Sequence, residues 1–313
     1  VAKDNTVYVG WTAKASTQGH ASDLYLSASR DGGKSFNAPV KVNDDGKPVV
    51  HAIHSLAVSD DGRVYLAWLD ERNTSRPPAG KTSGGGQPHM ETNREVFFSY
   101  STDGGRTFSA NQRLAGEACP CCKTSLAAGP KGEVYVGWRQ VLPGDFRHIA
   151  VAASQDGGRS FSAPVIVSDD KWVIAGCPVS GPALSVAPDG ALRVAWYTAG
   201  ERGSQGLYWS QSLDGGRTFS ERKALAANSA HGTPALLAGG KGSFTAVWGS
   251  SEGGAARVVL ARVDSAGRVS NTTLADKGEL PTAAFAGNQI FIAYVADAND
   301  RRGVWVTRAN LAA

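Results

Sequence analysis

The chain has 313 residues, 38 of them glycine, with 42% hydrophobic and 8% aromatic residues and a formal net charge of +4. That length is ample for a buried core. No basic stripe interleaved with aromatics suggests nucleic acid as a partner, and no apolar run approaches the ~20 residues of a membrane-spanning helix. Helix-forming runs are scarce, and Trp, Tyr, Val and Phe recur in short bursts, so an all-β protein with many turns is expected.

The chain opens at "VAKDNTVYVGW" without Met, which reads as a processed or trimmed start. The strand "DLYLSAS" (23–29) then runs into the octapeptide "SRDGGKSF" (29–36). Further copies follow other alternating strands: "STDGGRTF" (101–108) after "EVFFSYS", "SQDGGRSF" (154–161) after "HIAVAAS", and "SLDGGRTF" (212–219) after "GLYWSQS". A degenerate copy, "RVDSAGRVS" (262–270), follows "RVVLARV". The pattern is that of a tight hairpin turn. Asp accepts hydrogen bonds from nearby backbone N–H groups, glycine takes positive φ, and the aromatic re-enters the core as an anchor.

A second repeat precedes each of these. "SLAVSDDGRVYLAW" (55–68), "SLAAGPKGEVYVGW" (125–138), "ALSVAPDGALRVAW" (183–196), "ALLAGGKGSFTAVW" (235–248) and "TAAFAGNQIFIAYV" (282–295) align over fourteen residues, each reading strand, turn, strand. The N-terminal "VAKDNTVYVGW" matches the last part of this unit, so the chain begins inside a repeat. The order strand A, turn, strand B, loop, strand C, Asp-containing turn, strand D recurs six times, with the end copies incomplete. One such repeat cannot bury both faces, whereas a ring of them can. A single domain over 1–313 is expected, a six-bladed β-propeller of four-stranded antiparallel blades. The octapeptide resembles the Asp-box of the sialidase (BNR) superfamily, and the resemblance runs the length of the chain. Asp31, Asp103, Asp156 and Asp214 are read as structural turn residues.

In a propeller, A–B and C–D turns share one face, and B–C loops and D-to-A connections share the other. The segments before strand A read "VVHAIH" (49–54), "CPCCKT" (119–124), "CPVSGP" (177–182), "AHGTP" (230–234) and "KGELP" (277–281). Aligned on the fourteen-residue unit, Cys119 matches Cys177, and Cys121 matches His51 and His231. His20, His89, His148 and the single Met90 fall in or beside B–C loops, and His54 lies on the same rim. All four cysteines and all six histidines are therefore expected on one face.

Three readings of the cysteine loop stand open. It can carry disulfides, with Cys119–Cys177 joining neighbouring blades. It can bind a soft or borderline metal, copper ahead of zinc, through Cys119, Cys121, Cys122, Cys177, His51 and His231, with His54, His89 and Met90 as further ligands. It can carry thiol redox chemistry, although no C-x-x-C motif stands at a helix start. The leading expectation is an exported propeller, periplasmic or secreted, that binds a transition metal at its channel mouth, with a metal-exchange protein as a partner. The alternative is a glycan-active enzyme of the exo-sialidase type, or a glycan-binding module, with a disulfide-stapled rim.

The sialidase resemblance implies an arginine triad, an Asp acid/base, a Tyr–Glu nucleophile pair, and an Arg in a Phe/Tyr-Arg-Ile-Pro motif before the first Asp-box. That motif is missing from 1–28. Asp70, Glu71, Glu91, Glu201 and Glu279, with Arg72, Arg94, Arg139 and Arg202, fall on the expected face, and Tyr197 and Tyr294 end B strands. The loop 70–95, rich in Pro, Gly and Ser, reads as a lid carrying His89 and Met90.

Overall fold

The structure is a computed structural model. It describes residues 1–313 except 18, 75–92, 175, 201–204, 229, 241, 252–253, 299–300 and 311–313. The expected ligands His89 and Met90, most of the lid, and Glu91, Glu201 and Arg202 lie outside the described residues.

Among the described residues, all regular elements longer than a turn are strands, and they fall into six consecutive groups. The first holds β1 (Val7–Lys14), β2 (Ser22–Ser29) and β3 (Val40–Lys41). The second holds β4 (His51–Val58), β5 (Val64–Asp70), β6 (Arg94–Ser101) and β7 (Gln112–Ala118). The third holds β8 (Ser125–Ala128), β9 (Val134–Leu142), β10 (Phe146–Ser154) and β11 (Val165–Ile166). The fourth holds β12 (Ala183–Val186), β13 (Leu192–Thr198), β14 (Gly206–Ser212) and β15 (Lys223–Ala227). The fifth holds β16 (Ala230–Ala238), β17 (Phe244–Ser250), β18 (Arg257–Val263) and β19 (Val269–Ala275), and the last holds β20 (Glu279–Ala286), β21 (Gln289–Ala298) and β22 (Arg301–Asn310).

Within each group successive strands pair antiparallel, which is the meander expected of a blade. The inner strands β4, β8, β12, β16 and β20 each contact the next. Groups two and three are fused into one eight-stranded sheet by a single pairing, Ala118 with Gln140, at the entrance to the cysteine loop. No helix among the described residues is long and apolar enough to cross a membrane.

The core lies between the sheets. Trp68, Trp138, Trp196 and Trp248 occupy the same place in four consecutive second strands and are all but fully buried. Each closes the fourteen-residue repeat, so the periodicity of the sequence becomes a periodic set of wedges between sheets.

All four Asp-boxes sit in the turns before the last strand of their groups, as expected: between β2 and β3 in the first, and between third and fourth strands in the next three. Asp103 shows the bonding. Its Oδ1 accepts from Ser101 Oγ (2.7 Å), Arg106 N (2.9 Å) and Thr107 N (3.0 Å), and its Oδ2 accepts from Thr107 Oγ1 (2.6 Å). The anchoring aromatic docks on the preceding sheet: Phe161 meets Phe98 edge-on, 4.8 Å between centroids. Gly158 makes that approach possible, since φ is +87° and a Cβ there would lie 2.8 Å from Phe98. Phe36 of the first box departs from the expectation and stays 44% exposed.

These hydrogen bonds hold the Asp103 carboxyl at a pKa of about 2 against the cost of its partial burial. That lies below the unfolded value of ~3.9. The turn's contribution is therefore fully present above ~pH 4 and is lost as pH falls towards 2. Asp103→Ala is expected to cost on the order of 1 kcal/mol at neutral pH. It should also flatten the acid limb of a melting-temperature series, and an unchanged acid limb would count against the assignment.

Candidate functional site

The cysteine loop leaves the sheet where Cys119 N donates to Arg139 O (2.8 Å) and re-enters it at Ser125. Between them the chain turns on Cys122 N donating to Cys119 O (3.4 Å). The facing loop, 177–182, is pressed against it. A Cβ on Gly181 would lie 1.9 Å from Lys123 O, so only glycine fits there.

A disulfide joins Cys121 to Cys177 and ties the third sheet to the fourth. The expected inter-blade bond is present, but its partner is Cys121 and not Cys119. Cys119 and Cys122 are free thiols, each 1% exposed. Their sulfurs are 3.1 Å apart, and Cys119 Sγ is 3.8 Å from Cys121 Sγ. The contact with the Cys122 sulfur lowers the Cys119 pKa to about 6, against the cost of burial and helped by Arg147 and Arg139. The same contact and burial push Cys122 up.

Arg139 is the cation beneath this cluster. It is fully buried, donating to Ser180 O (2.9 Å) and Tyr197 O (2.8 Å), with its guanidinium 4.7 Å from the Trp172 ring centroid. Burial lowers its pKa, and the neighbouring sulfurs oppose that shift. Its donors are spent on backbone carbonyls, so it serves the loop and offers no free fork to a ligand carboxylate.

The matching register of Cys121, His51 and His231 does not survive in three dimensions. His51 faces Asp70, the second residue after Trp68, whereas the residue facing the second position after Trp138 is Ala118. His231 faces Gly249, the residue directly after Trp248. The physical reason is a β-bulge of different size in each sheet, seen as register shifts between Ala52 and Ser55 and between His231 and Ala235. The cysteine loop takes up the largest excess of residues.

His51 is instead fully buried in a charged knot between the first two sheets. Its Nδ1 donates to Ser22 O (2.7 Å), and its Nε2 lies 2.9 Å from Asp45 Oδ1 and 3.7 Å from Asp70 Oδ1. Asp70 accepts from Trp68 Nε1 (2.8 Å), Arg72 N (2.8 Å) and Arg72 Nε (3.0 Å). Arg72 also donates to Asp44 Oδ1 (2.7 Å). A counterpart lies near the fourth sheet, where Asp170 accepts from Trp196 Nε1 (2.7 Å) and Arg222 Nη1 (2.5 Å). The carboxylates Asp45 and Asp170 were not singled out from sequence. The signal was there: "VNDDGK" (42–47) and "VSDDKW" (167–172) repeat an Asp pair after the last strand of a group. His54 is half-buried, and burial lowers its pKa.

A cleft of about 440 Å³ opens on this face, lined in part by His20, Pro48, Val50, Glu71 and Thr74. At its edge Arg94 Nε donates to Glu71 Oε1 (3.0 Å), and Arg94 Nη1 donates to Pro120 O (2.7 Å). One arginine thus joins the cleft wall to the cysteine loop. Another cavity, about 760 Å³, lies at the opposite, turn-bearing end of the fifth and last sheets, beside Ser243, Asp264 and Phe285. Its ionic pair, Asp264 with Arg268, is solvent-exposed. The other residues implied by the sialidase resemblance are dispersed. Tyr197 meets Trp172 edge-on, Tyr294 packs against the core of the last sheets, and Glu279 pairs with Arg302.

The profile of the BNR repeat-like domain family matches residues 1–232. No curated protein matches the chain by sequence. Among solved structures, the chain is similar to the intramolecular trans-sialidase from Ruminococcus gnavus, with a TM-score of 0.62 and 14% identity over 99% of this chain and 92% of that one. It is also similar to the α-L-arabinanase of Penicillium chrysogenum, with a TM-score of 0.61 and 14% identity over 99% and 91%. The Hadza microbial sialidase Hz136 aligns with a TM-score of 0.61 and 15% identity over 99% of this chain, which spans 64% of that protein's length. At these identities the likeness is one of fold: an all-β, sialidase-like propeller.

Proposed function

The chain belongs to the BNR repeat-like family, and from that premise we propose that it is an exported glycan-recognising propeller whose ligand meets the face bearing the disulfide. The observation that carries this reading is the cleft edged by the Glu71–Arg94 pair, held at its far side by the stapled cysteine loop. Carboxylate and guanidinium groups at the edge of a partly apolar cleft suit hydroxyl-rich ligands, which need both acceptors and donors. A disulfide across two sheets fits the oxidising compartments outside the cytoplasm. Sialic acid hydrolysis is not part of the reading. Arg72, Arg94 and Arg139 are each committed to protein partners, and a clamp for the sugar carboxylate needs free guanidinium forks.

The test is a glycan array followed by titration calorimetry on the best binder. Glu71→Ala is expected to weaken binding by about tenfold or more, with the fold intact. A fluorogenic sialoside should be turned over at background. Robust turnover that disappears with Asp70→Ala or Glu71→Ala would overturn the non-hydrolytic reading.

A second reading, soft-cation binding with copper ahead of zinc, is favoured by the sulfur packing. One sulfur each from Cys119, Cys121 and Cys177 lie within 4.8 Å of one another, a spacing that thiolate ligands of a single ion can adopt. It requires an external thiol reductant to open Cys121–Cys177 first. The reduced protein is then expected to take up one ion per chain, measured by elemental analysis after desalting. Equal uptake by the Cys121→Ser, Cys122→Ser double variant would remove this reading.

A further inference from the structure

We propose that the four cysteines form an internal thiol–disulfide relay, in which the buried Cys119–Cys122 pair passes two electrons to the Cys121–Cys177 bond and releases Cys177 as a thiol at the surface. The inference goes beyond glycan recognition and does not depend on it. Its basis is a graded arrangement of sulfur. Cys119 and Cys122 are buried free thiols, Cys121 is half-exposed, and Cys177 is exposed. Cys119 Sγ lies 3.8 Å from Cys121 Sγ and within 4.8 Å of Cys177 Sγ, so it reaches both ends of the disulfide. Cys122 Sγ, 3.1 Å from Cys119 Sγ, is placed to resolve whatever bond Cys119 makes.

The surroundings divide the roles of the two thiols. Cys119, whose sulfur lies within reach of both sulfurs of the disulfide, is the nucleophile, and Cys122, 3.1 Å from it, is the resolving thiol. A purely structural pair of buried cysteines needs no such contact with a neighbouring disulfide, since buried free cysteine otherwise behaves as a small hydrophobe.

The steps balance without an outside oxidant. Cys119 thiolate attacks Cys177 Sγ, the Cys119–Cys177 bond forms, and the Cys121–Cys177 bond breaks. Cys121 leaves as a thiolate and takes up the proton that Cys119 gave up. Cys122 then yields its proton as its sulfur attacks Cys119 Sγ. The Cys119–Cys122 bond forms, the Cys119–Cys177 bond breaks, and Cys177 leaves as a thiolate that accepts that proton. The Cys119–Cys122 pair has been oxidised and the Cys121–Cys177 pair reduced. The third and fourth sheets lose their covalent tie beside the carbonyl of Pro120, which holds Arg94.

The test traps Cys177 in the folded protein, isolated without reductant, using a bulky maleimide at about pH 8, where thiolates exchange readily. After acid quench and tryptic digestion, the diagnostic peptides are 114–123 and 172–193. In the wild type, label is expected to accumulate on Cys177 with time, matched mole for mole by an internal Cys119–Cys122 disulfide in 114–123. In Cys122→Ser the relay should stall at a Cys119–Cys177 cross-link with label on Cys121. In Cys119→Ser, Cys177 should stay unlabelled. The wild-type time course stands alone if either variant folds poorly. The proposal is overturned if wild-type Cys177 is labelled only after added reductant, or if its labelling appears with Cys119, Cys121 and Cys122 all reduced.

Discussion

Replacing Asp70 by alanine is expected to destabilise the protein by ~3–5 kcal/mol, the cost of leaving a buried charge without its partner. Asp70 is fully buried and is the shared acceptor for the Trp68 indole and for both the backbone and guanidinium of Arg72. Removing it leaves the Trp68 N–H unpaired in the core and strips the fully buried counter-charge from a guanidinium whose side chain is only 10% exposed. His51, also fully buried, would lose its second carboxylate neighbour. At ~2–4 °C per kcal/mol, the melting temperature should fall on the order of 10 °C. Asp70→Asn, which keeps the acceptor and loses the charge, should fall between alanine and wild type. Thermal melts followed by circular dichroism decide it, and an alanine variant within ~1 kcal/mol of wild type would show that Asp44 and Asp45 carry the knot without Asp70.

The second large effect is expected at Trp196. Truncating a fully buried tryptophan to alanine costs ~3–5 kcal/mol through lost contacts and the cavity left behind. At this position the indole also donates to Asp170 Oδ2, so the variant removes one of the bonds holding a buried carboxylate between two sheets. Trp196→Phe separates the two contributions. It keeps most of the packing and loses the N–H, for an expected cost of ~1–3 kcal/mol. Denaturant titrations of both variants give the comparison. If phenylalanine proves as damaging as alanine, the bond to Asp170 outweighs the packing. If phenylalanine is neutral, Arg222 and Ser168 satisfy Asp170 by themselves.

The repeats were legible because they are local. The Asp-box closes its hydrogen bonds within a few residues, and the tryptophan at the end of the fourteen-residue unit recurs wherever a second strand recurs. The inter-sheet disulfide is one of the three readings that the sequence left open, behind the metal site. Its partner was missed because adjacent cysteines in one loop cannot be ranked by spacing when the loop path is unknown. The same loop misled the alignment of Cys121 with His51 and His231. Bulges insert different numbers of residues at the entrance to each inner strand, and sequence alignment without gaps hides them.

By itself, then, the sequence determined the all-β class, the repeated sheet, the turn chemistry and the face on which the cysteines gather, since each follows from short-range periodicity and backbone preference. The tertiary structure alone decided that Cys121 takes Cys177 while Cys119 and Cys122 remain a buried thiol pair, that His51 belongs to an aspartate knot, and that Arg94 bridges the cleft to the cysteine loop. These are contacts between sheets. They depend on how far each bulge and loop carries a side chain towards its neighbour, and that distance is set by packing over the whole molecule.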